Sequence, residues 1–469
     1  MIFPSYIFFL VFLPLTLSAW YLLRGHTRAR LFALTLASYW FYGSWDYRFT
    51  LLLLASTVLD YVVGARIAAT GDPKLRWRWL MVSLVGDLGA LAFFKYYDFF
   101  VGSAQTSLAW LGIEADLPLL HLVLPLGISF YTFQSLSYTI DIYRGQCRPA
   151  KDFLHFAAYV SMFPQLVAGP IVRYADVEDQ LRVSPSRSAT PDRIVEGVWL
   201  FAIGVAKKIW VADTIAPLAE ACFDGSGTPS VLVAWTGVLA YTFQLYFDFS
   251  GYTDMARGLG KMIGFDFPIN FDSPYKSVDI SDFWNRWHIT LSRFIRDYIF
   301  IPLGGSWGTR AETVKNLIIT MGLGGLWHGA GWTFVVWGLY HGVLLATNAV
   351  WSGAGRALPS GLGRVLTFVA VVLGWVIFRA PTMDRAGDVL VGLAGGGGAM
   401  DALTRTRWLE AHGVALPVLA AAAAIAFFAP NSQELPKPAR PVFGFVLAIA
   451  LLATMTTFMK ETPFLYFQF

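Results

Sequence analysis

Between Asn316 and Gly355 every residue is apolar or neutral except two histidines, His328 in the run LWHGAGW and His341 in LYHG. An ionisable side chain in an apolar run long enough to sit at membrane depth is costly and marks a functional candidate. Imidazole exchanges a proton near neutral pH, so the chemistry on offer is general acid–base work. A core histidine donating to a carbonyl would look the same, and that reading suits His341, inside an unbroken apolar stretch. His328 instead precedes Gly329-Ala330-Gly331, a break whose unpaired amides are tolerated only inside the protein or beside a watery cavity. In one straight helix the two rings would stand about 20 Å apart on different faces. They would then share neither proton nor metal unless the chain folds back at Gly329–Gly331. No Asp, Glu or Cys stands at ligand spacing to either, so no metal site is expected. His328 is the expected general base, alone or with a distant helper.

A second constellation is SDFWNRWHITLSRFIRDYIFIPLGG, Ser281–Gly305. Phe283, Trp287, Leu291, Phe294 and Tyr298 fall near helical spacing, and Arg286, Arg293 and Arg296 supply cations. An amphipathic helix lying in the bilayer interface explains this pattern. So does a mouth for a phosphate-rich donor, because guanidinium forks bind phosphate oxygens. Gly304-Gly305-Ser306-Trp307-Gly308 matches GxSxG, but that motif means a nucleophile elbow only between a strand and a helix, so it is discarded. Asp60, Asp87, Asp141, Asp248 and Asp254 are candidate buried carboxylates. The last two could orient a catalytic group, or pair with Lys207, Lys208 or Arg257.

Composition fixes what must position these groups. Of 469 residues, 56% are hydrophobic and only 14% charged, against about 25% charged in soluble domains. So much apolar surface cannot be hidden from water, which excludes a cytosolic enzyme, a disordered chain and a disulfide scaffold. The net charge of +4 is too small to argue for nucleic acid, and two cysteines make no disulfide framework. The expected fold is all-α: a polytopic membrane helical bundle with broken and re-entrant helices, residues 1–469 forming one membrane domain.

Ile2–Leu23 carries no charge, and Arg24, Arg28 and Arg30 follow it rather than precede it. That is a retained helix with its N-terminus outside and its basic end in the cytoplasm. Arg66, Lys74, Arg76 and Arg78, and later Arg144, Arg148 and Lys151, return to the basic side. Val101–Pro118 and Asp213–Ser230 lack Lys and Arg and belong outside. Further spans are expected near Leu31–Trp45, Leu51–Ala65, Leu80–Phe100, His121–Ile142, Phe153–Ile171, Val195–Val211, Val231–Phe247, Leu317–Trp351, Val365–Phe378, Val414–Phe428 and Val442–Met459. The total is about ten to twelve crossings or re-entrant pieces.

Four runs make the sequence recognisable: FPQLVAGPIVRY (Phe163–Tyr174), YTFQLYFDFSGYTDMARGLGKMIGFDFP (Tyr241–Pro268), DFWNRWHITLSRFIRDYIFIPLGG (Asp282–Gly305) and GLWHGAGWTFVVWGLYHG (Gly325–Gly342). Together they resemble the membrane-bound O-acyltransferase family, in its bacterial branch of alginate O-acetyltransferase membrane subunits. The resemblance spans about residues 1–380, with the motif-bearing core at about 120–350. It implies a helical bundle around a tunnel, with cytosolic acetyl-CoA as acyl donor entering from one side and an acceptor hydroxyl from the other. It makes His328, in the WHG run, the family's catalytic histidine and His341 its second. Arg286, Arg293 and Arg296 are assigned to the donor's phosphates from charge placement. The implied partners are an exported polysaccharide or a periplasmic acetyl-carrying protein, and membrane lipids, with no nucleic acid and no metal. Alginate, cellulose, peptidoglycan and other glycans stand open as acceptors, with D-alanyl transfer more distant. Two other classes also stand: a transporter, which would show inverted repeats that the sequence lacks, and an inert scaffold of a secretion complex.

Overall fold

The computed structural model describes residues 3, 5–182 and 190–435, with 446, 449, 450, 452, 462, 464 and 465. Among the described residues the architecture is all-helical, with no strand beyond one isolated bridge, Phe271 to Trp287. Four helices among them are long and apolar enough to cross a membrane: Arg48–Ala69, Pro73–Trp110, Trp332–Gly353 and Ser360–Arg379. A pair bent by 67°, Ala402–Ala411 and Ala415–Phe428, makes a fifth if it counts as one span. Of the other expected spans, Val231–Phe247 lies inside an unbroken 33-residue helix, Val231–Ile263, and two are shortened where Pro and Gly fall. Phe153–Ile171 is helical only to Ser161, before Pro164 and Gly169-Pro170. His121–Ile142 becomes helical only at Ile128, after Pro125 and Gly127. Gly127 has φ of +72°, and a Cβ there would lie 2.8 Å from the Leu166 carbonyl oxygen, so both backbone angle and space require glycine. The span expected over Val442–Met459 lies, but for Val446, Ile449, Ala450 and Leu452, outside the described residues.

The chain forms two compact units. The first comprises Met1–Ala202, Met255–Pro268 and Pro438–Pro463. Its centre is Ile128–Tyr143, buried nearly all round although it reads ISFYTFQSLSYTIDIY. A polar helix can be buried when its own backbone and its neighbours satisfy it. Ser135 donates to the Tyr131 carbonyl (2.9 Å), Gln134 donates to that of Tyr159 (3.0 Å), and the Arg76 guanidinium caps the carbonyls of Ile142 and Tyr143. Two carboxylates of the neighbouring helices take hydroxyl donors, Asp60 from Ser83 (2.6 Å) and Asp87 from Ser56 (2.7 Å).

The second unit comprises Ile203–Asp254, Ile269–Lys437 and Phe464–Phe469. It settles the pairing of two carboxylates. Lys208 Nζ lies 2.8 Å from both Asp248 and Asp213, and Lys207 Nζ lies 2.6 Å from Asp254. The Lys208 and Asp248 side chains are each 2% exposed. Removing one member of such a pair strands the other charge, whereas removing both need not destabilise. Lys208→Met is therefore expected to lower stability by about 3–5 kcal/mol, and Lys208→Met with Asp248→Asn to recover most of it, read as unfolding midpoints in detergent.

Candidate active site

The site lies within the second unit. A capping box starts the helix Arg310–His328: Glu312 N donates to Thr309 Oγ1, and Thr309 N donates to the Glu312 carboxylate at 2.7 Å. The two Thr309 donors hold the Glu312 carboxyl below the usual carboxylate range. The helix ends at His328. Gly329 and Gly331 are extended, with φ near −162°, and the next helix, Trp332–Gly353, runs back along the first. Glycine makes that contact. A Cβ on Gly325 would lie 2.9 Å from the Gly338 Cα and collide with the Phe334 carbonyl oxygen, and one on Gly338 would collide with that of Met321. Small residues let helix backbones approach this closely.

The reversal brings the two sequence-predicted histidines one indole apart. The His328 ring meets Trp337 edge-on at 5.1 Å between centroids, and the His341 ring meets the same indole at 4.9 Å. The two do not lie 20 Å apart, because the apolar run is a hairpin and not one straight helix. His328 is also edge-on to Trp327 (5.0 Å) and to Phe378 (5.3 Å), which comes from the helix Ser360–Arg379. Only 5% of its surface is exposed.

His341 is fully buried, and its environment differs. Trp284 Nε1 lies 3.3 Å from its Nδ1. An indole N–H only donates, so Nδ1 accepts and the proton of the neutral ring sits on Nε2. That Nε2 has no hydrogen-bond partner among the described residues and faces Gly374, where a Cβ would stand 2.9 Å from it. Phe283, Trp284, Trp337, Tyr340 and Trp375 surround the ring.

A third histidine was not singled out from sequence. His288 is fully buried and holds φ of +43°, rare for a residue with a side chain. Its Nδ1 lies 3.1 Å from Asn270 Oδ1, an oxygen that also accepts from Thr290 N (3.1 Å) and Thr290 Oγ1 (2.9 Å). The backbone donor fixes that atom as oxygen, so His288 Nδ1 donates and Nε2 keeps its lone pair. The His288 ring lies 6.2 Å from Trp327. The rings thus run His288, Trp327, His328, Trp337, His341: three histidines separated by two tryptophans. The one signal for His288 was the Trp-His pair it shares with His328.

The segment around His288 also departs from the interfacial-helix expectation. It is two seven-residue helices, Ile280–Arg286 and Ile289–Ile295, broken at Trp287-His288. Phe283, Trp287, Leu291 and Phe294 are buried in protein. The three arginines are placed differently. Arg286 Nε donates to Asp282 (2.7 Å) with Asp272 nearby (3.6 Å), Arg296 Nε donates to Asp297 (2.6 Å), and Arg293 is exposed. Among the described residues no three His, Cys, Asp or Glu cluster to hold a metal.

Buried histidines and tryptophans thus gather at a glycine-built reversal between two helices of an all-helical scaffold. A model of the membrane-bound O-acyltransferase family matches residues 150–373, which hold the whole ring series. A protein of Azotobacter vinelandii named as a probable alginate O-acetylase is 47% identical over 388 residues, covering 82% of this chain and 76% of that one. A peptidoglycan O-acetyltransferase of Helicobacter pylori is 38% identical over 84% of this chain and 80% of its own length. A teichoic acid D-alanyltransferase of Streptococcus thermophilus is 30% identical over 54% of this chain and 68% of its own. The chain belongs to the membrane-bound O-acyltransferase family, as its motifs imply, and is a multi-pass membrane enzyme.

Proposed function

We propose that this enzyme transfers an acetyl group from cytosolic acetyl-CoA to a hydroxyl of an exported polysaccharide, alginate or a similar glycan, with His328 as general base. The observation that carries the reading is His328, within the family-matched region, at the end of its helix and buried among Trp327, Trp337 and Phe378. His328 takes the proton of the acceptor hydroxyl as its oxygen attacks the thioester carbonyl. The tetrahedral intermediate collapses, the carbon–sulfur bond breaks, and the same proton returns to the leaving thiolate. Burial excludes water, which would otherwise hydrolyse the thioester. His288, with a lone pair on Nε2, is the distant helper. Arg286, Arg293 and Arg296 form the entry for the donor's phosphates, and the acceptor side receives either glycan or a periplasmic carrier protein. The basic loops support a reading in which that donor side faces the cytoplasm of a bacterial inner membrane and the N-terminus lies outside.

The test uses inverted membrane vesicles holding the protein, acetyl-labelled acetyl-CoA on the cytosolic face, and alginate in the lumen with the periplasmic proteins of the same cells. Label on alginate supports the reading. Label on peptidoglycan fragments but not on alginate favours the second acceptor, to which the Helicobacter pylori relative gives weight. No label on any glycan or carrier overturns the proposed donor and acceptors.

His341 then acts by position: its Nδ1 fixes Trp284, and its ring props Trp337 against His328. His341→Gln, which keeps an acceptor for the indole, is expected to retain most activity. His341→Ala is expected to lose about tenfold to a hundredfold in kcat with little change in KM for the donor, through misplacement of the base. Rescue by glutamine separates positioning from a direct role in chemistry.

A further inference from the structure

An apolar groove of about 870 Å³ opens in the first unit. One wall is the helix Phe8–Leu22, presenting Leu13 and Leu17, and the other is Pro191–Ala206, presenting Val198 and Phe201, with Ile449 and Leu452 also lining it. Residues from Phe9 to Leu22 line it, so it runs about 20 Å along the helix. That exceeds the ~15 Å depth of one leaflet's hydrocarbon. A groove of that length with walls of Leu13, Leu17, Val198 and Phe201 suits an extended hydrocarbon chain.

One end of the groove is basic. Tyr21 and Leu22 line that end, Arg24 follows them, and Arg193 precedes the lining residue Ile194; both guanidiniums act electrostatically on Tyr21. The Tyr21 hydroxyl closes the floor there by donating to the Met262 carbonyl. Two carboxylates share the rim, and both are engaged. Asp266 binds Arg193 (3.0 Å) and Lys261 (3.3 Å), and Glu196 binds Lys261 (3.1 Å). Arg24 is exposed and has no carboxylate partner among the described residues. A cation left over at one end of an apolar slot is complementary to a headgroup phosphate whose own chain fills the slot.

We propose that this groove binds one acyl chain of an anionic membrane phospholipid, with the headgroup phosphate held at Arg24. The groove shares no lining residue with the histidine series, and none of the transfer steps proposed above uses it.

The test is native mass spectrometry of the full chain in detergent, titrated with phosphatidylglycerol or phosphatidylcholine. Wild type is expected to retain one phosphatidylglycerol at energies that strip loosely bound lipid. Arg24→Gln is expected to weaken phosphatidylglycerol about fivefold, the value of one interfacial cation, and to leave phosphatidylcholine unchanged. Leu17→Trp, filling the slot, is expected to abolish retention of both. Val198→Trp fills it from the opposite wall and decides the matter if Leu17→Trp does not fold. Retention unchanged in folded tryptophan variants means annular lipid only and overturns the proposal. So does wild type that holds no lipid, or that holds phosphatidylcholine as tightly as phosphatidylglycerol.

Discussion

Replacing His328 by alanine is expected to lower acetyl transfer by about 10²–10⁴-fold, the range for a positioned general base. The donor's KM should stay within about twofold, because the side chain acts on the acceptor proton and not on the phosphates. Three rings meet His328 edge-on at 5.0–5.3 Å, so alanine also leaves a hole among Trp327, Trp337 and Phe378. The hole lowers stability without touching chemistry, and the two effects must be parted. His328→Asn keeps much of the volume and a hydrogen-bonding group but cannot accept a proton near neutral pH. It should therefore keep the unfolding midpoint of wild type while losing as much activity as alanine. The measurement is labelled acetyl on glycan per unit of folded protein, in membranes matched for its amount. Equal label from wild type and both variants would remove His328 as the base and turn attention to His288, whose Nε2 keeps its lone pair while that of His341 Nδ1 faces the Trp284 indole. A catalytically inert scaffold would keep its function in both variants so long as they fold.

Much of this arrangement was legible in the sequence, and the remainder depends on contacts that periodicity does not carry. The all-helical membrane architecture follows from composition, and His328 is visible because Gly329-Ala330-Gly331 interrupts an apolar run directly after it. What the run cannot say is whether the chain continues or reverses. Continuation would separate His328 from His341, and reversal unites them on Trp337. That choice rests on Gly325 meeting Gly338, a match between residues on opposite arms. His288 was hidden for another reason. Its neighbours Phe283, Trp287, Leu291 and Phe294 repeat at helical spacing, which reads straight through the break. The left-handed turn is held by Asn270, 18 positions away, through an acceptor oxygen that no local pattern announces. Phe378 likewise reaches His328 from fifty residues further along the chain. The carboxylates Asp248 and Asp254 were recognisable as buried, and Lys207, Lys208 and Arg257 as possible partners, but not which takes which. Lys208 and Lys207 are adjacent in sequence and take one each, which only the packed structure distinguishes.

The same reversal makes Gly338 a sensitive position. Its missing Cβ would collide with the Met321 carbonyl oxygen and stand 2.9 Å from the Gly325 Cα and 3.0 Å from the Gly325 N. All three obstacles are backbone atoms, so no rotamer change relieves them, and the helices must separate. Gly338→Ala is expected to destabilise the protein by about 3 kcal/mol, the upper end of ordinary overpacking costs, and Gly338→Leu to prevent recovery of folded protein. Separation would also move Trp337, next in sequence, away from both His328 and His341. Any Gly338→Ala that does fold should therefore lose transfer activity beyond its loss of stability. Two other glycines of the hairpin supply the contrast. At Gly353 nothing lies within 4 Å, so alanine should be neutral or gain about 0.5–1 kcal/mol from backbone entropy. At Gly322 the obstacle is the Leu339 Cδ2 at 3.2 Å, the end of a flexible side chain that can turn aside. Fluorescence-detected size exclusion and unfolding midpoints of the three alanine variants should rank them Gly353 above Gly322 above Gly338. A Gly338→Ala protein as stable and active as wild type would mean that the two helices do not meet at this glycine, and would dissolve the argument that the hairpin is what assembles the site.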